Sequence, residues 1–419
     1  MTSRRECFVY IQLPQSLEVV TCGRFVLDQD RADRSVGSFV YGRVYRSRPD
    51  AVALDPVHLP LAPTTYETAA LDGLFGALRD AGPDAWGRLV IERMSGHGAL
   101  HEMDYLLESP EDRAGALSFG LAQDPPSPRR EFNRIVQLED LRKAAALIEG
   151  PESVDEVQRQ LRDLLDPTTS MGGARPKNVI EDDGNLWVAK FPARGDRWDH
   201  ASVEAGMLEL ARECGIRTPD TRLVRIGDEN VLLVKRFDRA PTPDGYHRHR
   251  MVSALTVLDA SENAVERVNW SYLLMADELR RWSSRSDRDR KELFLRMVFN
   301  ALTSNQDDHP RNHALVAPGT DWELSPVYDL IPVPQYAQER RQLALDCGNE
   351  GRIATRENLV SEAPRFGFSR GEAGGLIDGM EQIVNARWRE MVLKHGGTAA
   401  DCDEISSAFC YPGFHYTGT

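Results

Sequence analysis

Apolar residues recur at three-and-four spacing from Lys291 to Thr303, where Leu293, Phe294, Met297, Val298, Ala301 and Leu302 share one helical face. That helix delivers a polar stretch, Ser304-Asn305-Gln306-Asp307-Asp308-His309-Pro310-Arg311-Asn312-His313. A short apolar segment with one embedded acid, Ser325-Pro326-Val327-Tyr328-Asp329-Leu330, follows. A second amphipathic pattern, with Val203, Met207, Leu210 and Cys214 on one face, predicts a helix over Ala201–Cys214 closed by Gly215. β-Branched and aromatic runs predict strands at Phe8–Ile11, Phe39–Tyr45, Asn178–Glu181, Leu186–Phe191, Thr221–Ile226 and Asn230–Phe237. Asp183-Gly184 reads as a hairpin turn. Helices are expected at Leu71–Ala81, at Trp86–Met94 with Asp84 as N-cap, at Leu138–Glu149 and at Val154–Leu165. Further helices are expected at about 270–283, 291–304, 356–363 and 369–394. The order is β-rich, helical, β-rich, helical. It divides the chain into 1–150, 151–239 and 240–419, an α+β protein whose last part is mostly helical.

Composition changes this picture little. A chain of 419 residues with 41% hydrophobic and 28% charged content is an ordinary globular sequence. The net charge of -14 gives no overall basic footprint for nucleic acid. The six cysteines are scattered without a C-x-x-C pair, which fits free thiols in a reducing cytoplasm rather than a disulfide framework or zinc site. The N-terminal apolar run is broken by Gln12 and Pro14 and is no signal peptide, and no run is long enough to span a bilayer. Two basic stretches, His247–Arg250 and Arg280–Lys291, could meet nucleic acid or an acidic partner, but a solvated loop is the preferred reading of each.

Several groups carry possible chemistry. Ser170-Met171-Gly172-Gly173-Ala174-Arg175-Pro176-Lys177 is either a hairpin-entry turn or a loop whose backbone N–H groups approach phosphate. It is not a Walker A sequence. Lys190 ends an apolar strand, as a snorkelling lysine or as a phosphate-pairing one with Glu204 on the next helix as partner. Lys235 to Arg239 closes the β-rich part like a hinge, where Phe237 packs on a base or in the core. Asp307 and Asn312 stand as D-x-x-x-x-N, with Asp329 further on, the pattern of a kinase catalytic loop and its metal-binding Asp. A transition-metal site built on Asp307, Asp308, His309 and His313, and a merely polar loop, are the other readings. Pro310 argues against a helix holding both histidines on one face. Only the kinase reading gives every group a role, in kinase order.

The chain resembles the HipA-type serine/threonine kinases, toxins of bacterial toxin–antitoxin pairs. The resemblance lies in Ser170–Lys177, Val188–Pro192, Lys235–Arg239, Asn305–Asn312 and Pro326–Leu330, with Phe39–Tyr41 and Asp80–Arg88 nearer the N-terminus. It implies a two-lobed fold related to protein and lipid kinases, with a small β-rich N-terminal subdomain, an ATP-binding lobe and a helical catalytic lobe. It implies ATP and Mg²⁺, with Asp307 as base, Asn312 and Asp329 as metal ligands, and Lys190 on the phosphates. The ATP site would include Ser170, Gly172, Gly173, Ala174, Lys177, Lys235, Phe237, His309 and Arg311. Ser170 would be autophosphorylated, and a dianion beside phosphate-binding N–H groups would expel that loop. An aminoacyl-tRNA synthetase is the implied substrate type. A small helix-turn-helix antitoxin is the implied partner, and DNA is reached only through it. Asp308 departs from the family's usual Gly or Ala and puts a negative charge beside Asp307, able to raise its proton affinity or bind metal. Pro310-Arg311 replaces the more usual Ala-Lys. The alternatives are a catalytically weak kinase-like regulator that binds partners, and a metal-dependent phosphohydrolase.

Overall fold

The computed structural model describes residues 5–29, 34–96, 100–110, 112–127, 132–150, 175–263, 265–335 and 340–416. Ser170, Gly172, Gly173, Ala174 and the helix expected over Val154–Leu165 lie outside the described residues. The chain forms two compact units. One comprises 1–194, 235–256 and 316–321; the other comprises 195–234, 257–315 and 322–419.

The first unit is built on an antiparallel sheet of β1 (Arg5–Gln12), β2 (Val19–Gln29), β3 (Ser35–Tyr41), β4 (Thr65–Thr68) and β5 (Leu117–Gly120), in the order β4-β3-β2-β1-β5. Its core is aromatic: Phe25 and Phe39 each meet Phe75 edge-on at 6.4 Å. The strand expected over Phe39–Tyr45 stops at Tyr41, and Arg43–Arg46 turns helical. Hydrogen bonds of two tyrosine hydroxyls hold the bend. Tyr41 donates to the Leu59 carbonyl at 2.6 Å, and Tyr45 donates to the Val52 carbonyl at 2.8 Å. The helix expected over Leu71–Ala81 is reduced to Gly76–Asp80, because Leu71 and Asp72 adopt left-handed φ of 48° and 56°. The Gly73 carbonyl packs so tightly on Gly37 that a Cβ there would lie 1.8 Å away, so this segment follows the sheet instead of a helix.

The helix Ala85–Ser95 starts where expected, with the Asp84 carboxylate accepting from the Gly87 N–H at 2.7 Å. The helix Leu138–Glu149 also forms. β7 (Lys177–Asp182) and β8 (Asn185–Lys190) pair antiparallel through Asp183-Gly184, both at positive φ, with β6 (Asn133–Arg134) parallel to β7. The stretch His247–Arg250 is no solvated loop. Gly245–Arg248 pairs with Arg239–Thr242, and Arg248 donates to the carbonyls of Gly115 and Leu117. Arg250 is 4% exposed and donates to the carbonyls of Ala53, Gly319 and Thr320.

In the second unit Thr221–Ile226 pairs antiparallel with the strand Glu229–Lys235, whose last residue belongs to the first unit, and the hairpin covers the helix His200–Glu213 through Leu223, Leu232, Val234, Ala201 and Ala205. The other side of that helix packs on Arg370–Lys394, close at Gly206, where a Cβ would meet the Val392 nitrogen at 3.0 Å. Tyr272–Trp282 packs on Ser286–Leu302, whose apolar stripe from Leu293 to Leu302 is buried as its spacing requires. That helix begins five residues before Lys291, and Asp287 and Asp289 in its first turn suit the positive end of its dipole.

A buried ion cluster fixes the hinge-like segment of the first unit. Asp238 is fully buried between Arg236 at 2.8 Å and Arg239, and accepts from the Gly115 N–H at 2.9 Å. Burial alone would raise its carboxyl, but the two guanidinium groups hold it well below the usual range. Asp238→Ala strands both arginines and is expected to cost about 3–5 kcal/mol. Urea unfolding followed by circular dichroism measures it, and a loss under about 1 kcal/mol would contradict this role.

Candidate active site

The helix Ser286–Leu302 ends at Thr303, and Ser304 reverses the chain with φ of 49°. The Asn305 N–H caps back to the Asn300 carbonyl at 2.9 Å. Arg341 pins this exit, donating to Ser304 Oγ at 2.6 Å and to the Ser407 carbonyl at 2.7 Å. Pro310–Asn312 then makes one 3₁₀ turn with proline at its first position, where its missing N–H costs nothing. The loop is closed on itself. The His309 N–H donates to the Asp307 carbonyl and the Asn312 N–H to the His309 carbonyl, both at 2.8 Å. Asn312 Nδ2 donates to the Asp307 carbonyl at 3.1 Å.

The second unit thus brings together the three residues of the D-x-x-x-x-N…D pattern. Asp307 is exposed, yet enough protein surrounds it that desolvation raises its carboxyl above the ordinary range. The Asp329 and Asp308 charges add to this, and His309 opposes it. Asn312 is 2% exposed, and its Oδ1 is a buried acceptor without a partner. Asp329 is half-buried at φ 63°, a left-handed conformation that Asp tolerates better than most residues. Tyr328 donates to the Arg311 carbonyl at 2.7 Å and so joins the two segments. Arg311 is paired with Glu262 at 3.2 Å, and His309 is half-buried.

Asp308 does not face the loop's open side. It is 1% exposed, and Tyr272 Oη and His313 Nε2, the latter at 2.8 Å, both meet its Oδ2. Burial would raise its carboxyl, but His313 and those hydrogen bonds outweigh burial and hold it below the ordinary range. Its charge does reach Asp307, but burial and Asp329 weigh more. Among the described residues no group of three or more His, Cys, Asp and Glu is placed to hold a metal.

Sequence reasoning missed the clamp on the Asp329 segment. Arg296 is fully buried on the helix otherwise read as apolar, and donates to Glu292 and to the Ser325 carbonyl. Arg217 donates to Glu292 and to the Leu324 carbonyl at 2.7 Å, and its own carbonyl accepts from the Val327 N–H at 2.9 Å. The Asp289 carboxylate accepts from the Leu324 N–H at 2.8 Å. The only signal was an arginine, glutamate and aspartate interrupting the buried side of a helix.

The first unit carries the remaining candidates. Lys190 ends β8, half-buried, directly opposite Lys177 in the strand register. The Lys177 ammonium is 2% exposed and 2.7 Å from the Asp84 carboxylate, and its carbonyl accepts from Trp86 Nε1 at 3.0 Å. Lys235 and Phe237 are half-buried on either side of buried Arg236, so Phe237 is not a core residue. Glu204, in the second unit, is 5% exposed on the helix His200–Glu213.

Two family models match the chain: the HipA N-terminal domain over residues 17–120 and the HipA-like C-terminal domain over 169–388. The chain belongs to the HipA family. The serine/threonine-protein kinase toxin HipA of Shewanella oneidensis is 26% identical over 210 residues, 44% of this chain and 48% of that protein. A Haemophilus influenzae protein with a provisional kinase name is 25% identical over 146 residues, 33% of this chain and 43% of that one. The matches thus span less than half the length of these curated relatives. The fold is that of HipA. The solved Shewanella oneidensis complex of HipA, HipB and operator DNA aligns over 95% of this chain and 94% of that one, with a TM-score of 0.64 at 17% identity.

In this HipA-family chain Asp329→Asn removes a like charge and is expected to lower the Asp307 pKa. Carbon-13 NMR titration of the Asp307 carboxyl measures the shift, and an unchanged or raised value would contradict the coupling.

Proposed function

We propose that this protein is an ATP-dependent serine/threonine kinase of the HipA type. The observation that carries the reading is the trio of Asp307, Asn312 and Asp329, with the Asn312 Oδ1 buried and unpartnered. Mg²⁺ is a hard cation that takes oxygen ligands, and an amide oxygen and a carboxylate are both of that kind. Asn312 Oδ1 and the Asp329 carboxylate would hold the ion. When bound, it would neutralise charge on the ATP phosphates.

The chain's own groups do the rest. Asp307 accepts the proton of a substrate serine or threonine hydroxyl or orients it, and its raised proton affinity makes it a better base. Lys190 pairs ATP phosphates, the role of a kinase strand lysine. Lys235 and Phe237 meet the adenine from the hinge-like segment. Gly172, Gly173 and Ala174 offer backbone N–H groups to phosphate, and Lys177 fixes the strand end of that loop through Asp84. His309 and Arg311 border the phosphates. Catalysis is mainly positioning and charge neutralisation.

The biological reading extends this one. Ser170 is the autophosphorylation site, and the protein substrate is a translation component of the aminoacyl-tRNA synthetase class. A small helix-turn-helix antitoxin is the partner, by analogy with the HipA, HipB and operator DNA complex of the solved relative. DNA is reached through that partner. All six cysteines are free, which suits a reducing cytoplasm. Among the described residues no helix is long and apolar enough to cross a membrane. The phosphohydrolase reading loses ground because Asp308 and His313 are engaged with each other.

Asp307→Asn is expected to lower transfer of the ATP γ-phosphate to protein by at least about 100-fold while nucleotide binding persists. Radiolabelled ATP with Mg²⁺ and a host lysate measures it. Transfer at the wild-type rate would contradict the assigned base, and nucleotide binding without transfer by the wild type would support a regulator instead.

A further inference from the structure

The residues beside the base and the metal ligand form one buried unit. Asp308 follows Asp307, and His313 follows Asn312. Their side chains meet at 2.8 Å, and Tyr272 Oη donates to the same Asp308 oxygen. Asn300 Nδ2 reaches Tyr272 Oη at 3.0 Å, and Asn305 Nδ2 donates to Asn300 Oδ1 at 3.1 Å. Tyr272, Asn300 and His313 are 0% exposed, and Asn305 and Asp308 are 1% exposed. The Tyr272 and His313 rings pack edge-on at 5.6 Å.

Two features set this network apart from ordinary core filling. The first is its cost. An ionised carboxylate taken out of water loses its hydration, and apolar side chains of the same volume would fill the space at least as stably. The second is its placement. The bonds inside the loop hold Asp307 and Asn312 to each other, but not to the rest of the unit. The Asp308–His313 contact grips the loop at both ends and ties it to two helices, Tyr272–Trp282 through Tyr272 and Ser286–Leu302 through Asn300.

We propose that Asp308, His313 and Tyr272 are positioning residues that lock Asp307 and Asn312 in the geometry needed for phosphoryl transfer and magnesium binding. The inference rests on the kinase reading of this loop. Asp308 touches neither substrate nor metal; it acts through its chain neighbours. A misplacement of about 1 Å in such a group is enough to lower a rate about 100-fold.

The test uses the full chain with ATP and Mg²⁺, in wild type, Asp308→Asn, His313→Gln, Tyr272→Phe and the Asp308→Asn/His313→Gln double variant. Each is read for kcat, KM for ATP, thermal melting, and the Mg²⁺ concentration that half-saturates nucleotide binding. Asp308→Asn and His313→Gln are expected to lower kcat by about 10- to 100-fold with KM for ATP within about threefold. The double variant is expected to be no worse than the weaker single, as members of one unit behave. The half-saturating Mg²⁺ concentration is expected to rise at least about threefold, because Asn312 is no longer held. Tyr272→Phe removes a single hydroxyl and keeps the ring, so it serves if either polar variant fails to fold.

Wild-type kcat and Mg²⁺ dependence in a folded Asp308→Asn, His313→Gln or Tyr272→Phe variant would overturn the proposal. So would losses that only track the folded fraction, or losses that multiply independently in the double variant. If the wild type binds magnesium nucleotide but transfers no phosphate, the kinase reading fails. The Mg²⁺ measurement then still decides whether this network positions Asn312.

Discussion

Burying an ionised side chain is tolerable only where opposite charge and hydrogen bonds surround it, and that constraint shapes each segment on which the proposed chemistry depends. Asp308 sits between Tyr272 and His313 behind the proposed catalytic loop. Glu292 sits between Arg217 and Arg296 behind the Asp329 segment. Asp238 sits between Arg236 and Arg239 at the hinge-like segment. These positions carry carboxylates where an apolar core would be cheaper. Each gives the backbone around it one arrangement instead of several.

The helix Ser286–Leu302 is the common scaffold in the second unit. Its apolar face makes it part of the core, and its polar interruptions make it a jig. Asp289 and Arg296 reach the Asp329 segment, Glu292 holds Arg296 and Arg217, Asn300 reaches Tyr272, and the C-terminal exit launches Asp307. Base and metal-ligand candidates thus take their positions from one rigid element, which suits chemistry that depends on placement.

Much of this was legible in the sequence because it is local. The three-and-four spacing of Leu293 to Leu302, the Asp84 cap and the Asp183-Gly184 turn depend on neighbouring residues, and each appears as expected. Asp307 and Asn312, read together from their spacing, do share one loop, joined by the Asn312 Nδ2 bond to the Asp307 carbonyl. What escaped depends on tertiary contacts that no spacing rule reveals. Tyr41 and Tyr45 bend their strand through hydroxyl bonds to Leu59 and Val52. Leu71–Gly73 loses its helix to a close approach at Gly37. Arg248 and Arg250 looked solvated because their acceptors are backbone carbonyls, which sequence does not distinguish. Asp308 looked like a stray charge beside the base, since its partners Tyr272 and His313 lie 36 and 5 residues away.

The catalytic-loop trio, the strand lysine and the hinge-like segment make one account only if phosphate leaves ATP for a protein hydroxyl. The direct measurement is phosphosite mapping by mass spectrometry after the full chain is incubated with ATP, Mg²⁺ and host lysate. The account predicts phosphoserine at Ser170 and a new phosphoserine or phosphothreonine on a second protein. Release of free phosphate with no phosphorylated residue on either would contradict it.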